Sequence, residues 1–233
     1  MSNEAPKTAD QRPRRLDVVP ATAERWPDVD TIFGGPGAHH CWCMAYRLSG
    51  SDPRTKTFDG RREHLRLLTA GEPPPGMLAY LDGKPAGWLG FGPRPELHRL
   101  AHSRTIPVVD DRPVWSIVCF LIRTGYRRRG VAKALLEGII DYARRSGAPG
   151  LEAYPVDPEG ARIDTAFGYV GFTSMFEAAG FERVLLSDAH SNRRPRWLVR
   201  LMFEGGAGPL DVDGHSPSEG RGDAPASHRP EDG

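Results

Sequence analysis

The residues that most constrain the fold lie between positions 114 and 147. "VWSIVCFLI" (114–122) is apolar at all but one position, the pattern of a strand covered on both faces. It passes through the basic turn "RTGYRRRG" into "VAKALLEGIIDYARRSG", where Val131, Ala134, Leu135, Ile139 and Tyr142 share one helical face. Lys133, Glu137, Asp141 and Arg145 lie elsewhere, and Asp141 precedes Arg145 by four residues in the favoured order. A buried strand running directly into an amphipathic helix predicts a layered α/β domain with this strand inside its sheet.

The junction itself carries chemistry. The first turn of a helix has unpaired N–H groups and the positive end of the helix dipole, which together suit a pyrophosphate. Gly130 and Ala132 keep side chains out of the way, and Arg127, Arg128, Arg129 and Lys133 add positive charge at the same place. The bland alternative is a solvated basic helix start. The apolar strand, the small residues and the amphipathic helix argue together against it.

The remaining elements follow from shorter patterns. "RLDVVPA" reads as a first strand and "TAERWPDVDTIF" as a helix opening at Thr22. "FDGRREHLRLLTAG" reads as a helix stopped by Gly71 and the prolines at 73–75. "GMLAYLDGKPAGWLGFG" reads as a hairpin turning at Asp82–Gly83, a pair that tolerates positive φ. After a long connection and the central strand and helix, "GLEAYPVD" predicts a strand, "SMFEAAGFERV" a short helix entering a strand, and "RWLVRLMF" the last strand. Residues 1–14 and 204–233 are polar or rich in Gly, Pro, Ser and Asp and are expected to be disordered tails around one domain at 15–203.

At Arg127-x-x-Gly130-x-Ala132 the sequence resembles the acetyl-CoA signature of the GNAT superfamily of N-acetyltransferases, Gln/Arg-x-x-Gly-x-Gly/Ala after the fourth strand. "MFEAAGF", ending at Gly180–Phe181, resembles that family's later helix-then-strand element. The resemblance implies a single α/β domain with a mixed, mostly antiparallel central sheet flanked by helices. It implies acetyl-CoA as co-substrate, bordered by Phe120, Leu121 and Ile122 along the pantetheine arm. The pyrophosphate would be held from Arg127, Arg128 and Arg129 through Gly130, Val131, Ala132 and Lys133. A dinucleotide site is disfavoured, since Gly-x-Gly-x-x-Gly is absent after the strand.

Two departures from the family pattern concern catalysis. Phe176 stands where the family often has a tyrosine that protonates the leaving thiolate, and the family's frequent asparagine before that helix is missing from "DPEGARIDTAFGYVGFTS". Transfer to an amine also needs a neutral nitrogen, and a free alkyl amine has a pKa of about 10.4. Glu152 and Tyr154 alternate onto one face of a strand and are the expected base (directly or through water) and acid. Glu96, Asp110 and Asp111 are further carboxylates without a geometric argument.

"AHHCWCMAYR" (38–47) offers His39, His40, Cys41 and Cys43 as metal or redox groups. Cys-x-Cys with adjacent histidines and no second cluster makes a poor tetrahedral zinc site, and redox pairs usually read Cys-x-x-Cys. No metal is expected. Cys119 as an acetyl-carrying nucleophile is a weaker alternative, because its strand reads as core. The stretch is expected to form core or pocket wall, with Trp42, Tyr46, Trp88 and Trp115 shaping an acceptor pocket.

Composition sets the remaining limits. A net charge of +1 gives no global attraction to nucleic acid. No run approaches the ~20 apolar residues of a membrane helix, and the N-terminal residues have no apolar signal core. The three cysteines suggest free thiols in a reducing, cytoplasmic setting. The expected activity is direct transfer of an acetyl (or related acyl) group from CoA to a primary amine of a small molecule by a monomer or homodimer. A protein or peptide amine, or a non-catalytic CoA sensor, are the alternatives.

Overall fold

The computed structural model describes residues 15–35, 41–158, 168–191 and 193–204. The two expected tails, apart from Glu204, and the histidines at 39 and 40 therefore lie outside the described residues. Seven strands form one sheet in the order β1-β2-β3-β4-β5-β7-β6. They are β1 (Leu16–Pro20), β2 (Gly76–Leu81), β3 (Lys84–Pro93), β4 (Trp115–Ile122), β5 (Gly150–Ala153), β6 (Glu182–Ser191) and β7 (Arg194–Met202). The helices are α1 (Trp26–Phe33), α2 (Phe58–Leu68), α3 (His98–Ala101), α4 (Val131–Arg145) and α5 (Thr173–Glu177). Every neighbouring pair is antiparallel except β4–β5, so the sheet is mixed and mostly antiparallel, as the sequence led one to expect.

Local chemistry explains the boundaries. Asp82 and Gly83 both adopt positive φ (51° and 75°), which lets two residues close the β2–β3 hairpin. Thr57 caps α2, its side chain accepting from the Gly60 N–H at 3.0 Å. The helix expected from Thr22 starts later: residues 23–25 form a single 3-10 turn, and α1 begins at Trp26 with Pro27 in its first turn. Proline is well placed there, where its missing N–H would have had no partner.

Two cores sit on the two faces of the sheet. On one, Leu135, Ile139 and Ala143 of α4 pack with Phe176 and Phe181 against Met77, Leu89 and Phe91. On the other, Val29, Ile32 and Phe33 of α1 pack with Trp42, Met44, Leu78 and Trp88. β4 is the fourth of the seven strands and is covered on both sides, which is why it carries almost no polar residues.

One irregularity prepares the site. Between Gly90↔Cys119 and Phe91↔Ile117 the β3–β4 register shifts, and Val118 is the extra residue. A bulge interrupts the alternation of side chains. Here Val118 and Cys119 turn to the same face, against the α1-side core.

Candidate active site

β4 and β5 separate almost as soon as they meet. They pair only at Trp115↔Leu151, Ser116↔Glu152 and Ile117↔Ala153. From Val118 to Ile122 the β5-facing edge of β4 has left its partner, and a wedge opens at the C-terminal end of the strand. Two adjoining cavities occupy this region, and both are bordered by Phe120, Leu121 and Tyr169.

The first cavity, about 370 Å³, runs from β4 to the start of α4. Of the residues expected to hold the co-substrate, Phe120, Leu121, Ile122, Arg127, Arg128, Gly130, Val131, Ala132 and Lys133 border it, while Arg129 is exposed outside it. The turn is shaped by two left-handed residues, Arg128 (φ 57°) and Gly130 (φ 83°). Gly130 is the N-cap of α4 and offers no side chain to cap it, and the first turn of the helix carries no acidic residue. The leading N–H groups of a fifteen-residue helix thus lie at the cavity with no acidic side chain in the first turn to meet them, beside the cationic side chains of Arg127, Arg128 and Lys133. This donor set fits a pyrophosphate.

The second cavity, about 220 Å³, is lined almost wholly by apolar groups and thiols, including Phe33, Cys43, Tyr46, Val118 and Cys119, with Cys41 and Ala45. The bulge is what turns both Val118 and Cys119 toward it. Trp42 (φ 49°) and Cys43 (φ 57°) are both in the left-handed region although neither is glycine, a conformation that needs support from its surroundings. Gly90 supplies part of that support, because a Cβ there would collide with the Cys43 sulfur. The Cys119 thiol holds the Cys43 thiol well below its ordinary range, with help from the Arg47 charge, and burial opposes them. Cys119 is correspondingly pushed up, by its Cys43 partner and by burial. As a nucleophile, Cys119 is therefore the poorer thiol of the two.

Tyr169 stands where the two cavities meet. Burial, followed by the neighbouring Tyr46 phenol, pushes its hydroxyl up to about 12, with the Arg196 charge opposing. It stays protonated across the neutral range and is a hydrogen-bond donor at the junction. Nothing in its local sequence marked it, since its importance depends on how the 3-10 turn Gly168–Val170 packs back against β4.

The expected base and acid occupy a different environment. Glu152 and Ser116 are fully buried and Tyr154 is 1% exposed. One carboxylate oxygen of Glu152 accepts from Arg94 Nη1 at 2.5 Å and from the Tyr154 hydroxyl; the other accepts from Arg200 Nε at 2.7 Å. Arg200 also donates to Asp110 at 2.7 Å, and Ser116 and Arg94 contact the Tyr154 oxygen at 2.9 and 2.7 Å. Burial, then the Glu152 charge, drives the Tyr154 phenol well above its ordinary value. Glu152 is a counter-ion between two guanidinium groups, and neither it nor Tyr154 borders either cavity. That geometry suits an interior ionic tie better than proton transfer to a substrate. Asp110 belongs to the same network, and Glu96 ends the one-turn helix that carries Arg94.

Of the four expected wall residues, only Tyr46 lines the second cavity. Trp42 is fully buried between Phe33 (5.2 Å) and Trp26 (6.0 Å), and Trp88 packs edge-on to Phe33 at 5.3 Å. Trp115 stacks on Phe91 at 5.4 Å, at the opposite end of β4 from the wedge. Large indoles are core fillers here, where their area gains most from leaving water. Phe176 is likewise core, edge-on to Phe120 and Phe181 at 6.1 and 5.1 Å. Among the described residues no group of three or more His, Cys, Asp or Glu side chains is arranged to hold a metal ion.

Sequence reasoning also missed Arg94, Arg196 and Arg200, three arginines no more than 7% exposed. Arg194, Arg196 and Arg200 share one face of β7 with Leu198, a signal legible as three charges in an otherwise apolar strand. Their partners come from β5 and from the loops, which the sequence does not pair.

Residues 42–169 match the family model described as the acetyltransferase (GNAT) family. No curated protein matches the chain in sequence. Among solved structures, the chain is similar to a ribosomal-protein-alanine N-acetyltransferase from Brucella melitensis, at 15% identity and a TM-score of 0.49 over 80% of this chain and 99% of that one. It is similar to an N-acetyltransferase from Staphylococcus aureus at 13% identity and a TM-score of 0.48, over 81% and 98%. A NatC complex bound to Gag peptide and CoA is similar at 15% identity and a TM-score of 0.44, over 81% and 98%. With the family match spanning more than half of its length, from Trp42 through the wedge to Tyr169, this chain belongs to the GNAT family of acetyltransferases.

Proposed function

We propose that the protein is an acetyl-CoA-dependent N-acetyltransferase whose acceptor is a small primary amine, attacking directly in a ternary complex. The observation that carries this reading is the junction at Phe120, Leu121 and Tyr169, where a groove with an uncapped helix N-terminus meets an apolar cavity of about 220 Å³. An engineered apolar cavity of about 150 Å³ suffices for benzene, so the space fits a ring or a branched chain rather than a folded peptide.

In the proposed step the neutral amine nitrogen attacks the thioester carbonyl carbon, the C–N bond forms and the C–S bond breaks. Tyr169 donates a hydrogen bond to the departing sulfur, the role Phe176 is unable to fill. No carboxylate lines the second cavity among the described residues, so the substrate proton passes to water. The same lack disfavours a bare ammonium inside the cavity and favours the neutral, reactive amine.

The two small residues of the motif support the donor assignment: Gly130, left-handed at the helix start, and Ala132, which borders the same cavity. A thiol-release assay with acetyl-CoA and a panel of small amines tests the reading. Turnover with at least one small amine is expected. CoA binding without acetylation of any amine would refute it in favour of a sensor, and turnover only with peptides would refute the small-molecule acceptor.

A further inference from the structure

Two irregularities of the backbone bring two thiols together. The β3–β4 bulge turns Cys119 to the α1 side of the sheet, and the left-handed Trp42 and Cys43 belong to a turn that places the Cys43 sulfur over Gly90. Gly90 is the partner of Cys119 across the two strands. A Cβ on Gly90 would collide with the Cys43 sulfur and stand 3.6 Å from the Cys119 Cβ, so both cysteines crowd one point. Bulges and left-handed residues other than glycine both gather at functional sites.

The pair faces a cavity, and its two members differ. Both line the second cavity. The Cys119 thiol donates to the Cys43 sulfur, and with the Arg47 charge and the Trp88 N–H it favours a Cys43 thiolate against the cost of burial. Trp88 Nε1 lies 3.1 Å from the same point beside Gly90 and has no nitrogen or oxygen partner among the described residues. Cys119 is pushed the other way, by Cys43 and then by burial, and keeps its proton. A thiolate beside a protonated thiol is the arrangement of an attacking and a resolving cysteine. Cys41 lines the same cavity, but burial pushes its thiol up.

We propose that Cys43 and Cys119 form an oxidisable dithiol in the wall of the acceptor cavity, converted to a disulfide by a small hydroperoxide that enters it. The Cys43 sulfur attacks one peroxide oxygen, the O–O bond breaks, and a Cys43 sulfenic acid and hydroxide form. The Cys119 sulfur then attacks the sulfenic sulfur. The S–S bond forms, the S–O bond breaks, and the departing hydroxide leaves with the Cys119 proton as water. Two electrons pass from the sulfur pair to the peroxide. The turn that carries Tyr46 is then tied to β4 across the cavity wall, while the first cavity has no cysteine in its wall and keeps its CoA site. The oxidation does not depend on what the cavity holds. Its effect on transfer rests on the cavity being the acceptor site, as the proposed function has it.

Peptide mapping by mass spectrometry tests the oxidation on the full chain. Reduced protein is treated with hydrogen peroxide, its remaining thiols are alkylated under denaturing conditions, and it is digested without reductant. A Cys43–Cys119 cross-linked peptide, two hydrogens lighter than its parts, is expected, and dithiothreitol should remove it. Cys41→Ser should keep the cross-link. Cys119→Ser should lose it and leave a Cys43 sulfenic acid that dimedone traps. Full alkylation of both cysteines after peroxide, a link from Cys41, or links only between chains would overturn the proposal, and the map of the unaltered protein decides this even if a variant fails to fold. Oxidised protein, freed of peroxide, should bind CoA within twofold of the reduced protein but acetylate the fastest amine of the panel at least tenfold more slowly. Unchanged turnover in cross-linked protein would overturn the effect on transfer. Absence of turnover in the reduced protein would instead refute the transfer reading, and the cross-link map would still decide the oxidation.

Discussion

Glu152→Gln separates a counter-ion from a catalytic base. The substitution keeps the size of the side chain and one oxygen acceptor but removes the charge that faces Arg94 at 2.5 Å and Arg200 at 2.7 Å. The new amide N–H₂ must also point at one of the two guanidinium donors. Removing one partner of a buried ion pair costs about 3–5 kcal/mol. Arg200 retains Asp110 at 2.7 Å, so Arg94 is the charge left without compensation, and the low end, about 3 kcal/mol, is expected. At about 2–4 °C per kcal/mol for a domain of this size, the melting temperature should fall by roughly 6–12 °C. Urea denaturation followed by tryptophan fluorescence gives the free energy, and kcat is measured at a temperature where the variant is folded. Unchanged stability together with a kcat loss of about 10²–10⁴-fold, the usual effect of losing a general base, would refute the counter-ion assignment.

Two further outcomes follow from the same interior. Tyr169→Phe should lower kcat by about 10²-fold or more while leaving CoA affinity within about twofold, because only the hydrogen bond to the departing sulfur is lost; stopped-flow thiol release and CoA titration check it, and an unchanged kcat would remove Tyr169 from the mechanism. Tyr80 is pushed up to about 12 by burial and by its hydrogen bond to Asp28 at 2.5 Å. A phenol with a folded pKa above its unfolded value of about 10 stabilises fully below pH 10 and loses that contribution as pH rises toward 12. Urea midpoints between pH 8 and 11.5 should therefore fall less steeply in Tyr80→Phe than in the unaltered protein.

The legible part of the fold was the part written in local patterns. The all-apolar run 114–122, the Asp82–Gly83 turn and the α4 periodicity each depend on neighbours in sequence, and all three elements form where the residues said they would. Most of the expected co-substrate residues border one cavity for the same reason, since they are consecutive along one strand and one helix start. The acceptor side was not legible, because it is assembled from distant pieces. The bulge at Val118 depends on its register against Gly90, and Tyr169 arrives from a segment 47 residues beyond the end of β4. Trp42, Trp88 and Trp115 were read as pocket wall from their chemistry, and the core claimed them on volume. Glu152 and Tyr154 share one face of their strand, but Arg94 and Arg200, which close over them, lie too far away in sequence for any local pattern to pair them.

The central claim is that the start of α4 binds the pyrophosphate of an acyl-CoA, and Ala132→Glu tests it most directly. An acidic residue in the first turn suits the helix dipole, so the fold should keep its stability. The same carboxylate borders the first cavity and would repel a pyrophosphate there. Calorimetric titration with CoA should show one site per chain in the unaltered protein and an affinity loss of about tenfold or more in Ala132→Glu at an unchanged melting temperature, a change of ~1.4 kcal/mol. No CoA binding to the unaltered protein, or equal binding to both, would contradict the assignment.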